Sequence, residues 1–222
     1  MQSVTISNRL LADLPEPERL QIKSIAVVVD FEPGHVFAEA GHAPPHVWFI
    51  EAGLATAHVV LSDGRMVGVM VFGPEGAINL AAPAAGRPSP VRVTAQTSGR
   101  ALRVEQARLK ALTSVGSALT ELILTYGATL QSDLHKAVAC NAVHAAPRRL
   151  ATWLLRCHRR IEGDILPLKQ EDFAGLLGAQ RSTINAAAQS LQAAGAVSYS
   201  RGRVRVLNRE TLARLACECA PR

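Results

Sequence analysis

The apolar residues of this chain change their spacing once, near Glu105, and that change divides the molecule into a β part and an α part. Before it the period is two. Val27-Val28-Val29-Asp30-Phe31, Val47-Trp48-Phe49-Ile50, Leu54 to Leu61, Met66 to Phe72, Val91 to Thr97 and Ala101 to Val104 are short β-rich runs. Turn formers separate them at Glu32-Pro33-Gly34, Gly41, Gly53, Asp63-Gly64, Gly73-Pro74-Glu75-Gly76 and Ser98-Gly99. Asp63-Gly64 predicts a two-residue hairpin, because glycine supplies the positive φ that a type I′ turn requires. Many short strands at near-regular spacing bury their apolar faces by stacking or closing, so an antiparallel β-roll is expected over about 27–105. Ahead of it, Leu14, Leu20 and Ile22 lend an apolar side to a short helix over about 15–26.

After Glu105, steps of three and four replace the alternation. Leu119, Leu122, Ile123, Tyr126, Leu130, Leu134, Ala137 and Val138 mark one apolar stripe on a helix of about 28 residues. Such a stripe either packs along the helix's own domain or forms a two-stranded seam with a second copy, and the period does not separate the two. Gly127 and Ala128 permit close helix approach, although glycine costs about 1 kcal/mol of helix propensity. Ala145-Ala146-Pro147 breaks the helix, and Pro147 suits the first turn of the next, over 147–161. There Leu150, Trp153, Leu154 and Cys157 point inward, and Arg148, Arg149, Arg156, Arg159 and Arg160 mostly outward.

Charge follows the same division. Residues 1–115 hold 10 Lys and Arg against 10 Asp and Glu, while residues 116–222 hold 14 against 8, so the net +6 resides in the second half. A basic half beside a neutral half points to a polyanion. No amphipathic Lys-rich helix with aromatic anchors is present, which favours nucleic acid over a membrane surface. No apolar run is long enough to span a bilayer and the start lacks a secretory layout, so a cytoplasmic protein with no membrane partner is expected.

The segment from Gln170 to Asn185 reads helix, glycine, helix. Phe173, Ala174 and Leu177 form an inward face, Gly178 suits the left-handed conformation that ends one helix, and Ile184, Ala188 and Leu191 return to the core. The second helix then exposes Gln180, Arg181, Ser182, Asn185 and Gln189, side chains able to bond base edges. Helix-glycine-helix pieces also occur as plain corners. The residues after Leu191 distinguish this one: Ala196 to Ser200 and Arg203 to Leu207 predict a hairpin around Arg201-Gly202, carrying Arg201, Arg203 and Arg205 toward phosphates. Over residues 146–209 there are 11 basic against 4 acidic side chains.

The order β-roll, long helix, winged helix-turn-helix resembles the Crp/Fnr family of bacterial regulators over nearly the entire chain. The residues that carry the resemblance are Pro33-Gly34, Gly53, Asp63-Gly64, Gly73 to Gly76, Gln170-Glu171, Leu177-Gly178 and Arg181-Ser182-Thr183-Ile184. It implies an α+β chain with three parts: a cyclic-nucleotide-binding-like sensory β-roll over 1–115, a dimerisation helix over 116–145 carrying Leu119, Leu122, Ile123, Tyr126, Leu130 and Leu134, and a DNA-binding domain over 146–222. It also implies a homodimer on a palindromic operator of double-stranded DNA, with half-sites about 34 Å apart, acting on RNA polymerase. Gln170, Gln180, Arg181, Ser182, Thr183, Asn185, Gln189, Arg201 and Arg203 are the expected DNA contacts.

Two departures from the family stand out. Where cyclic-nucleotide-binding members carry a Gly-Glu pair and an Arg-Ser pair, this chain reads Gly73-Pro74-Glu75-Gly76 and Arg87-Pro88-Ser89-Pro90. Gly73, Glu75, Gly76, Arg87 and Ser89 are thus the candidate effector residues, but the prolines remove N–H donors that a phosphate cradle needs, so cyclic AMP is not expected and the effector is unnamed. Ser182 and Ala186 stand where cyclic-AMP-responsive members carry Glu and Arg, so a different operator is expected.

Cys140 and His144 lie four apart on one helix face, a spacing that brings two metal ligands together. With Cys157, Cys217 and Cys219 they allow an alternative reading as a thiol- or metal-based redox sensor; buried thiols acting as small hydrophobes are the plainer one. His35, His42, His46 and His58 are read as scattered surface histidines rather than as a metal or haem site. No nucleophile elbow, zinc-protease motif or phosphate-binding loop is present, so neither an enzyme nor a bound cofactor is expected.

Overall fold

The computed structural model describes residues 6–80, 87–168, 172–200 and 202–220. Two short helices, α1 (Arg9–Ala12) and α2 (Glu16–Ile25), precede eight strands: β1 (Val27–Phe31), β2 (Val36–Ala38), β3 (His46–Ala52), β4 (Ala55–Val60), β5 (Met66–Phe72), β6 (Ala77–Ile78), β7 (Arg92–Ala95) and β8 (Gly99–Glu105). Then come α3 (Gln106–Leu112), the long α4 (Ala118–Val143), α5 (Ala146–His158), β9 (Ile165–Leu166), α6 (Asp172–Leu177), α7 (Arg181–Ala193), β10 (Val197–Ser200), β11 (Arg203–Val206) and α8 (Arg209–Leu215). The chain forms two compact units, residues 1–57 with 72–132, and residues 58–71 with 133–222. The long helix belongs partly to each.

The strands of the roll make two four-stranded sheets, ordered β1-β8-β3-β6 and β2-β7-β4-β5. All of the pairings β1–β8, β3–β8, β3–β6 and β2–β7 are antiparallel. β3 is buried from Val47 to Glu51 rather than on alternate residues. Its Val47 and Phe49 join Leu102, Val104, Leu109, Leu119 and Tyr126 in the main core, while Trp48 meets Phe37 edge to face at 5.2 Å. A strand covered on both faces reads as a continuous apolar run, as this one does.

Three expectations need correction. Leu20, placed on the apolar side of α2, is 52% exposed, and only Leu14 and Ile22 reach the core. Strands β4 and β5 are not joined by a two-residue turn. Leu61 N–H bonds the Arg65 carbonyl and Gly64 N–H the Leu61 carbonyl, so the loop is Ser62-Asp63-Gly64 with Gly64 at φ +83, a type I turn closed by a left-handed residue. The Asp63 carboxylate accepts from the Arg65 backbone and guanidinium, which holds its pKa below the usual range. Finally, the α4 residues keep one face of the helix but not one environment. Leu119 and Tyr126 are buried in the core of the first unit, and Leu122, Ile123 and Leu130 pack against it. Of the residues named for a dimer seam, Leu134 is the one that is exposed.

The helix α1 is not predicted by periodicity, and its signal is Asn8. This side chain accepts from Leu11 N–H as the N-cap and donates to the carbonyls of Ile50, at 2.6 Å, and Gly76, at 3.0 Å. It is fully buried. Asn8→Ala removes three hydrogen bonds, leaving the Leu11 N–H uncapped and the Gly76 carbonyl with the Ile50 N–H at 3.3 Å, so a loss of about 3 kcal/mol is expected in urea unfolding. A loss under about 0.5 kcal/mol would show that water replaces the amide.

Candidate nucleic-acid interface

The C-terminal helices are held by a small apolar core. On α5, which opens with Pro147 in its first turn, Leu150, Trp153, Leu154 and Cys157 are buried as expected. Phe173 of α6 is fully buried and meets Trp153 at 6.3 Å and Tyr199 at 6.4 Å, both edge to face. Burial pushes the Tyr199 hydroxyl well above the usual tyrosine pKa, so it stays neutral. Arg149, expected to point outward, instead donates from its guanidinium to the carbonyl of Leu177 and so caps the C-terminus of α6.

The turn between α6 and α7 depends on Gly178, at φ +58. Ala179 N–H bonds the Ala174 carbonyl and Gly178 N–H the Gly175 carbonyl, the paired bonds of a Schellman motif, which needs its residue after the helix in the left-handed region. The chain therefore reverses within three residues and starts α7 at Arg181. One face of α7 is buried through Ile184, Ala187, Ala188 and Leu191. The opposite face is exposed: Gln180, Arg181, Ser182, Thr183, Asn185 and Gln189 all reach solvent. Gln180 is the N-cap but makes no side-chain capping bond, which leaves its amide available. Gln170 and Arg201, two of the expected contacts, lie outside the described residues.

The hairpin after α7 is longer by one strand than expected, since β9 completes a sheet ordered β10-β11-β9. Val204 and Val206 point into the core while Arg203 and Arg205 are exposed, the alternation of a half-buried strand. Ser200 lies opposite Arg203 and Ser198 opposite Arg205. These four polar side chains share one concave face of about 570 Å³ with Ile165 and Leu207. The serines are absent from the expected contacts, although the period of two in Val197-Ser198-Tyr199-Ser200 places both on the arginine face.

Two of the candidate effector residues, Ser89 and Gly76, are engaged within the first unit. The Ser89 hydroxyl donates to the Val91 carbonyl at 2.7 Å, its N–H bonds the His42 carbonyl and its carbonyl accepts from Gly41. Gly76 faces Tyr126, whose hydroxyl would stand 2.8 Å from any added Cβ. That hydroxyl bonds both the N–H and the carbonyl of Ala77. Gly73 is buried, Glu75 half-buried and Arg87 exposed. None of the five lines the apolar groove of about 920 Å³ that Val47, Leu80, Leu109, Val115, Ile123 and Leu124 help to form.

The structure brings Cys217 and Cys219 to Cys140 and His144. Their four ligand atoms all lie within 4.8 Å of one another, and this is the one His, Cys, Asp and Glu group of its kind among the described residues. Burial pushes the Cys140 thiol up to about 12 and raises that of Cys219. For Cys217 burial works in the same direction, but hydrogen bonds from the Thr152 hydroxyl and the Cys140 thiol outweigh it and hold the group below its ordinary value. Cys157 is fully buried elsewhere on α5, and burial raises its pKa strongly. The histidines of the roll are not gathered: His35 packs on Phe37 and Trp48, His42 contacts the Ala40 carbonyl, and His58, expected at the surface, is buried.

A β-roll, a long helix and an Arg-bearing winged helix-turn-helix, in that order, are the architecture of a DNA-binding regulator. Residues 28–114 match the family model of the cyclic nucleotide-binding domain, and residues 148–215 match that of the Crp-like helix-turn-helix domain. Among solved structures, FixK2 from Bradyrhizobium japonicum aligns with a TM-score of 0.73 at 18% identity, over 87% of this chain and 98% of that one. The c-di-GMP responsive global regulator CLP of Xanthomonas campestris gives 0.69 at 14%, over 87% and 100%. A CRP/FNR-family transcriptional regulator from Thermus thermophilus gives 0.69 at 18%, over 86% and 98%. At these identities the likeness shows the fold. No match is found among curated proteins. The two family models in this order, on this fold, make the chain a member of the Crp/Fnr family of transcription regulators. Among the described residues no helix is long and apolar enough to cross a membrane.

Proposed function

We propose that the chain acts as a homodimeric, sequence-specific DNA-binding regulator on a palindromic operator, in the cytoplasm, where it recruits or obstructs RNA polymerase. In this reading residues 1–115 sense, 116–145 dimerise and 146–222 bind DNA. The observation that carries it is the two-sidedness of α7. Ile184, Ala188 and Leu191 anchor it, so that Arg181, Ser182, Asn185 and Gln189 stand in water with nothing apolar between them and a major groove. Arg203 and Arg205 on the wing supply phosphate contacts that position the helix.

A second copy is favoured by what α4 leaves uncovered. Leu124, Val138 and Val143 are 68%, 69% and 73% exposed and Leu134 is 39% exposed. Leu124, Leu134 and Val138 share one side of α4, and apolar side chains exposed together on a helix are stabilised by a partner helix. The effector is read as something other than cyclic AMP, because Ser89 bonds its own loop and Tyr126 stands against Gly76.

The test is selection of bound duplexes from a random pool, which should return a two-fold symmetric site with half-site centres about one helical turn apart. On that site Arg203→Ala with Arg205→Ala should weaken binding equally on specific and unrelated duplexes. The slope of log K against log salt should fall by about 0.9 for each phosphate no longer neutralised. An enriched pool without symmetry removes the dimer, and an unchanged salt slope removes the wing from the phosphates.

A further inference from the structure

The C-terminal end of α4, the first residue after it and the turn after α8 converge on one point. Cys140 Sγ lies 3.4 Å from Cys217 Sγ, and Cys219 Sγ lies 3.8 Å from His144 Nδ1. Three thiols and one imidazole nitrogen fall within 4.8 Å of one another. Tetrahedral zinc with Zn–S bonds of about 2.3 Å sets its sulfur ligands about 3.8 Å apart. The observed spacings suit ligands arranged around a common centre. They are too long for a disulfide, whose sulfurs stand about 2.05 Å apart.

The surroundings also match a metal site rather than an apolar pocket. His144 Nε2 faces Glu218 Oε1 at 3.3 Å. With its proton on Nε2 the ring bonds the carboxylate and turns its Nδ1 lone pair toward the sulfurs, the arrangement by which an outer carboxylate orients a ligating histidine. Thr152 on α5 receives the Cys217 N–H at 3.1 Å and its hydroxyl lies 3.0 Å from Cys217 Sγ. The Arg156 guanidinium donates to the Cys219 carbonyl at 3.1 Å. Lys136, Arg156 and Arg160 line the small cavity beside Cys219. Three thiolates, a neutral imidazole and a divalent ion carry a net charge of −1; Glu218 and Asp133, which lines the same cavity, bring it to −3, and the three cations offset it.

We propose that Cys140, His144, Cys217 and Cys219 form a closed structural zinc site that fastens the C-terminal turn to the end of the long helix. A closed set of three sulfurs and one nitrogen, with no open position, selects zinc over harder cations and leaves no room for catalysis. Binding displaces three thiol protons and changes no oxidation state. Zinc binding and DNA binding rest on different residues, so either can fail without the other.

The test begins with the intact chain, purified under reducing conditions without added chelator. About one zinc per chain is expected by elemental analysis. Replacement of zinc by cobalt should give thiolate-to-cobalt charge transfer and the intense visible bands of a tetrahedral centre. Cys140→Ser with Cys217→Ser should lower cobalt affinity at least tenfold, His144→Cys should keep a tetrahedral spectrum, and Cys157→Ser should change nothing. Because the wild-type spectrum alone decides whether a site exists, a variant that fails to fold does not shelter the proposal. A metal-free wild-type chain that shows no tetrahedral cobalt spectrum after full reduction overturns it. So does full zinc retention by a folded Cys140→Ser and Cys217→Ser chain, or a Cys140–Cys217 disulfide in a protein that takes up no metal once reduced.

Discussion

Arg181→Ala combined with Asn185→Ala is expected to weaken binding to the selected operator by about 2–6 kcal/mol while leaving affinity for an unrelated duplex within about threefold. The two residues lie one turn apart on the exposed face of α7. Each contributes about 1–3 kcal/mol when it bonds a base edge, arginine to guanine and asparagine to adenine, and as neighbours they need not add. Alanine is the better helix former, so neither change unfolds α7. The comparison of fluorescence anisotropy on the two duplexes therefore reads base contact and not stability. Equal losses on both would reassign Arg181 to the phosphates, and no loss on either would remove α7 from the groove.

Phe173→Ala is expected to destabilise the C-terminal part of the protein by about 3–5 kcal/mol, the range for truncating a buried aromatic residue. The ring has no solvent exposure and stands edge to face between Trp153 and Tyr199, so its loss loosens α6 from α5 and from the wing together. Total stabilities of domains are about 5–15 kcal/mol. The variant should unfold at lower urea concentration, with DNA binding lost alongside. Phe173→Leu, which keeps most of the volume, should recover most of the difference. A Phe173→Ala protein with an unchanged unfolding midpoint would mean that this core closes over the cavity without cost.

How much of this was legible in the chain varies with the distance over which each feature is decided. Gly178 is a local matter, since a left-handed residue is needed to end α6 and glycine adopts that conformation without strain. The outward set Gln180, Arg181, Ser182, Asn185 and Gln189 follows from a 3.6-residue period once Ile184 and Leu191 are taken as anchors. The wing follows from a period of two, and the same period holds Ser198 and Ser200. By contrast, Asp63-Gly64 names a turn but not its length, because the loop closes where Leu61 happens to pair with Arg65. The stripe on α4 is equally ambiguous. A helix with apolar residues on two sides presents the same steps to a domain and to a second copy, and only packing assigns Leu119 and Tyr126 to the core while leaving Leu124 and Val138 in water.

The change of period at Glu105, the concentration of positive charge behind it and the helix-glycine-helix followed by an arginine hairpin can all be read along the chain, and the family with them. Backbone preference, side-chain periodicity and charge act over a few residues and need no knowledge of the rest of the chain. Packing sets the rest: Ser89 turns its hydroxyl to its own loop, Arg149 caps α6, and Cys217 and Cys219 return to Cys140 and His144. The last of these joins residues 77 apart in the chain. Such meetings depend on how α4, α5 and α8 pack through their buried faces, and no spacing within any one of them encodes where another will end.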